Sequence, residues 1–198
     1  MSAMTTTFPG NAAVWRLPNR GKVAMACLII AESAIFTIFV VAYLFYVGKS
    51  LTGPTPREVL ETPIFFTISL LSSSLTVHMA SKALERGKRG AFLGMWLLTI
   101  VLGALFLFGT AQEWHNLIYE RGLTISTNLF GTTYYSLVGL HAFHVTAGLL
   151  MMLIVAAFAL TGRVNTEHSP RIGVLAMYWH FVDVVWVVVF TVVYILGR

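Results

Sequence analysis

Residues 132–160 read TTYYSLVGLHAFHVTAGLLMMLIVAAFAL and contain no Asp, Glu, Lys or Arg. About twenty apolar residues in a helix span the roughly 30 Å of bilayer hydrocarbon, so this run is long enough to cross a membrane. Four more runs of the same kind occur, over residues 23–47, 62–83, 91–111 and 172–196. Only helices and closed barrels satisfy every backbone group in lipid, and the ten-residue alternation that marks a barrel is absent. The expected fold is all-α: an integral membrane bundle of five transmembrane helices over residues 22–198, behind a polar tail over 1–21.

Composition points the same way. The chain is 57% hydrophobic and 11% charged, with a mean hydropathy of +0.79, too much apolar surface for one water-soluble core. Its net charge of +5 is not gathered into a patch or tail for nucleic acid; the charges lie between the apolar runs, as topology signals do. Cys27 is the single cysteine and lies inside the first run, so no disulfide framework is expected. The tail, with Pro9, Arg16, Pro18 and Arg20, lacks the apolar stretch and small-residue cleavage site of a signal peptide, and we read it as cytoplasmic.

Orientation follows from the flanking cations. Arg16, Arg20, Lys22, Lys82, Arg86, Lys88, Arg89, Arg163 and Arg171 fall on the side of the N-terminus, against Lys49, Arg57, Arg121 and Arg198 on the other. The excess places the N-terminus in the cytoplasm and the C-terminus outside. Thr62-Pro63 and Ser169-Pro170 read as helix starts, and Gly48 and Gly162 as C-terminal caps. Gly90, Gly94, Gly103, Gly109, Gly139 and Gly148, with the run Ser72-Ser73-Ser74, read as close helix packing. No internal repeat or interrupted helix suggests a secondary transporter.

Polar residues within the runs are the candidates for function. Glu32 lies roughly 15 Å beyond Lys22 along a helix, near the midplane, where a lone acid is costly and is expected to be protonated or paired with a group such as an imidazole. His141 and His144 share a helix face at three-residue spacing, as do His180 and Asp183 on the last helix. By depth all four are expected to meet Glu32 in one cluster. Three chemistries fit such a cluster: a metal centre, although the Glu-x-x-His spacing of di-iron bundles is missing; a haem held by His141 and His180; or a hydrogen-bonded clamp without cofactor. The clamp is the favoured reading, because buried polar groups in membranes pair with one another. Gln112, Glu113 and His115 read as an exposed face at the outer end of the third helix, and Trp114, Tyr119, Tyr134 and Tyr135 as an aromatic belt. His78, Lys82, Arg86, Lys88 and Arg89 are candidate contacts for lipid headgroups.

Two of these stretches carry a resemblance. Gly139-Leu140-His141-Ala142-Phe143-His144-Val145-Thr146-Ala147-Gly148 is similar to G-x-H-G-x-H-V-x-x-G, and Tyr178-Trp179-His180-Phe181-Val182-Asp183-Val184-Val185-Trp186 to Y-W-H-F-V-D-x-V-W, motifs of subunit III of the haem–copper terminal oxidases. Ala31-Glu32-Ser33 and Phe130-Gly131-Thr132-Thr133-Tyr134-Tyr135 resemble further segments of that family, and Gln112-Glu113-Trp114 does so more loosely, without a role for Gln112 or Glu113. Ala142 departs from the family's glycine. The resemblance implies an accessory subunit without redox centre or metal of its own. It would pack on subunit I, in a complex with subunit II and a small subunit IV, with haem and copper held by the partners. It would bind phospholipid and support proton uptake during oxygen reduction in a bacterial plasma membrane. Glu32 would be its buried acid, and His141, His144, His180 and Asp183 a structural cluster. Two alternatives remain: an accessory subunit of a nitric oxide reductase, and a haem b electron carrier with His141 and His180 as axial ligands.

Overall fold

The structure is a computed structural model that describes residues 19–50 and 52–197, so most of the expected tail and Arg198 lie outside the described residues. Five helices are long and apolar enough to cross a membrane. The first, α1 (Arg20–Tyr46), is capped by Asn19, whose side chain accepts from the Gly21 amide at 2.9 Å. Gly48, at φ 75°, ends it as expected. A single turn, α2 (Pro56–Val59), follows and is fixed by the Glu58 carboxylate accepting from the Thr55 amide. Next come α3 (Ile64–Glu85), α4 (Arg89–His115), α5 (Leu129–Leu160) and α6 (Ser169–Phe190).

Several boundaries differ from expectation. Polar residues 112–116 suggested that the third membrane helix stops at 111, yet α4 runs to His115 and continues as a π-helical turn, Asn116–Glu120. Polarity there marks the approach to water and an inward-turned acid, not a break in the backbone. α6 begins at Ser169 with His168 before it rather than with Ser169 as its cap, and Asn165, whose amide donates to His168 Nδ1, caps the 3-10 turn Thr166–His168 that leads in. α3 starts at Ile64 with Pro63 as its cap, one position later than Thr62-Pro63 suggested.

The helices form three layers. α3 and α4 make an antiparallel hairpin across Gly87, α5 and α6 form the middle, and α1 lies on their far side, touching α5 and α6. Trp179 of α6 joins the layers. Its indole is fully buried and donates from Nε1 to Ser73 Oγ on α3 at 2.8 Å. A Cβ on Gly103 of α4 would come within 2.9 Å of this ring, and one on Gly148 of α5 within 2.8 Å. These glycines form the walls of the indole slot, whereas Gly90 and Gly94 face open space.

α3 is also a polar ladder. Ser69 donates to the Leu102 carbonyl and Thr76 pairs with Thr99 on α4, while Thr67 accepts from Trp186 Nε1 on α6. The serine run therefore supplies hydrogen bonds between helices as well as close packing.

Substituting Gly148→Val should overpack the indole slot and cost about 1–3 kcal/mol. Thermal unfolding in mild detergent should show a lowered midpoint for this variant and an unchanged one for Gly94→Val; equal midpoints would refute the slot.

Candidate functional site: polar groups within the bundle

The expected single cluster is resolved into separate sites. Glu32 lies roughly 18 Å along α1 from Arg20 and meets His144 of α5, with Nε2 to Oε2 at 3.2 Å. The other ring nitrogen, Nδ1, is 2.8 Å from the Leu140 carbonyl, which can only accept, so Nδ1 carries a proton. One further proton must then lie between Nε2 and the carboxyl. Either Glu32 donates to a neutral imidazole, or an imidazolium donates to a carboxylate. Both arrangements leave the pair without net charge, which is what hydrocarbon favours. Phe36 covers the imidazole at 5.0 Å between centroids, and the Tyr178 hydroxyl donates to the His144 carbonyl at 3.1 Å.

His141 goes elsewhere. Its ring is fully buried, stacked on Trp186 at 4.9 Å and set edge-on to Phe106. Neither of its nitrogens has a hydrogen-bond partner among the described residues. His180 reaches α3, where Nδ1 is 2.7 Å from Ser74 Oγ and the ring is 6.5 Å from that of His78. Asp183 is buried near Ser74, and among the described residues neither carboxylate oxygen has a partner of hydrogen-bonding geometry. His141 and His180 thus have different neighbours, Phe106 of α4 and Trp186 for the one, Ser74 and His78 of α3 for the other. Among the described residues no three His, Cys, Asp or Glu side chains are grouped closely enough to hold a metal ion.

Glu113 was not expected to matter. Its carboxylate accepts from the Tyr194 hydroxyl at 2.8 and 2.9 Å, and Tyr194 in turn lies 3.4 Å from the Tyr134 hydroxyl. Tyr134 and Tyr135 are buried rather than part of an interfacial belt, whereas Tyr119 is exposed. Glu113 also lines a cavity of about 320 Å³ with Glu61, Gln112, Asn116, Glu120 and Arg121. The one available signal was the loose motif at 112–114.

Two features face the surroundings. A groove of about 530 Å³ between α1 and α6 is lined by Ile29, Phe36, Phe181 and four valines of α6, with Ser33, Thr37 and His180 as polar points. At the end of the α3–α4 hairpin, Arg86, Lys88 and Arg89 are exposed, and Lys82 forms an ion pair with Glu85 at 2.9 Å.

A family model described as cytochrome c oxidase subunit III matches residues 7–198. The cytochrome c oxidase subunit 3 of Alkalihalophilus pseudofirmus is 35% identical, covering 84% of this chain and 82% of that protein. The cytochrome bo(3) ubiquinol oxidase subunit 3 of Pseudomonas aeruginosa is 34% identical over 85% and 81%, respectively. The Bacillus subtilis cytochrome c oxidase subunit 3 is 32% identical over 96% of this chain and 94% of its own length. With both the helices and the two histidine motifs in place, this chain belongs to the cytochrome c oxidase subunit III family.

Proposed function

We propose that this chain is an accessory, multi-pass subunit of a bacterial terminal oxidase, held beside a larger subunit that carries haem and copper. The family match over residues 7–198 carries this reading. Named relatives include subunits of both cytochrome c and ubiquinol oxidases, so the role belongs to the oxidase complex and not to one electron donor. Subunit I is the direct partner, with subunit II and a small subunit IV in the same complex, and the bacterial plasma membrane is its location.

Within that role Glu32 and His144 hold one proton between them at mid-membrane depth. The pair can pass between neutral and ion-pair forms without a net charge in hydrocarbon, which suits a group that supports proton uptake by its neighbour. Lipid binding is supported by two features: an apolar groove that fits acyl chains, and exposed basic residues that attract anionic headgroups. Those basic residues lie at the end expected to face the cytoplasm.

Purification of the tagged chain from its native membrane in mild detergent should bring down a larger subunit with haem and copper signals, together with phospholipid, and the chain stripped from that subunit should be colourless. Haem retained by the stripped chain would overturn the reading. Glu32→Ala leaves His144 Nε2 unpaired and should cost about 1–3 kcal/mol. Glu32→Gln should restore thermal stability, because its amide can donate to Nε2. If the pair's role is to hold a proton, both variants should inactivate faster than wild type during turnover with unchanged haem spectra; normal turnover lifetime in Glu32→Gln would reduce the pair to packing.

Orientation can be read in a Cys27→Ser background. Arg86→Cys should react with an impermeant maleimide only once the cytoplasm is opened, and Arg121→Cys should react in intact spheroplasts. The reverse pattern would invert the topology.

A further inference from the structure

One face of α3 is left uncovered by the rest of the bundle. Leu71, Ser72, Leu75, His78 and Met79 are all exposed along it, with Leu75, at 64% exposure, in the centre. Lipid tails accept the leucines and the methionine, but they offer nothing to Ser72 or His78. Ser72 is near the midpoint of α3, and His78 is roughly 10 Å from its Glu85 end, so both lie within hydrocarbon depth. Among the described residues His78 has a ring neighbour, His180, but no hydrogen bond, and Ser72 makes no hydrogen bond either.

Hydroxyls that face lipid elsewhere in the bundle behave differently. Thr37 on α1 donates to the Ser33 carbonyl at 2.7 Å, and Thr146 on α5 donates to the Ala142 carbonyl at 2.8 Å. Each is satisfied within its own helix and asks nothing of the surroundings. Ser72 and His78 have no such provision, and an imidazole without a partner in hydrocarbon is costly. A phospholipid headgroup would meet Lys82, one turn nearer the surface, before it reached His78.

We propose that this face of α3 docks a transmembrane helix of a partner subunit, one that seats its apolar side chains around Leu75 and brings a hydrogen-bond acceptor to His78. The proposal rests on the oxidase-subunit reading and adds the docking face to it. His180, held by Ser74, lies on the α6 side of the face, its ring 6.5 Å from that of His78.

A photo-crosslinking residue at Leu75, activated in the complex in native membranes, should join this chain to a stoichiometric subunit identifiable by mass. His78→Leu should weaken retention of that subunit in detergent about fivefold, as expected for one interhelical hydrogen bond, and His78→Gln should restore it. Lipid adducts alone, or no adduct, in a preparation that still contains the haem-bearing subunit would overturn the docking face while leaving the oxidase reading intact. Unchanged retention in His78→Leu would likewise overturn it. A stoichiometric crosslinked partner in a preparation devoid of haem would support the docking face and overturn the oxidase reading.

Discussion

Trp179 needs a slot for a bicyclic ring and an acceptor for its indole N–H, and hydrocarbon offers neither. Gly103 and Gly148 supply the slot from two helices, and Ser73 supplies the acceptor from a third. Because no hydrophobic force drives helices together in lipid, such steric fits and hydrogen bonds must do most of the association. The rest of the α3–α6 contact extends the same solution, with Thr67 receiving Trp186 a little under two turns farther along and Ser74 engaging His180 next door. The middle layer is thereby locked to the hairpin over roughly 10 Å of the membrane's depth.

On the opposite side the attachment is of another kind. α1 contributes just Phe36 and Tyr43 as buried side chains, and its polar link to the bundle is Glu32 with His144. A helix so exposed keeps its place through one charge-compensated contact and two aromatic side chains rather than through a ladder. The polar part of that attachment is vested in one pair of residues, so a change at Glu32 is felt in how α1 is held.

The five-helix count was legible because hydrophobic runs of that length have one solution in lipid. Glycine caps were legible too, since the positive φ at Gly48 and Gly162 strongly favours that residue. The grouping of the histidines was not. Three residues along a helix is about 300° of rotation, so His141 and His144 share a face loosely and still diverge by enough to reach different neighbours, one an aromatic pocket and the other α1. His180 and Asp183 have the same spacing, yet both lie near Ser74 of α3 and neither pairs with Glu32. Glu113 was read as part of an exposed face because a polar run near a helix end looks the same whether its acid faces water or, as here, a tyrosine from a helix far away in sequence.

The pairing of Glu32 with His144 spans 112 positions of chain. At about 5–20 residues per second of synthesis, α1 leaves the ribosome on the order of 6–20 s before the imidazole that will neutralise it. During that interval an acid must be accommodated at the centre of a newly inserted helix, where a charged side chain carries a penalty of roughly 2.5–3.5 kcal/mol on insertion scales. The strongly apolar remainder of α1 offsets that penalty, and so the first helix of this chain has to be hydrophobic enough to enter the bilayer on its own and wait.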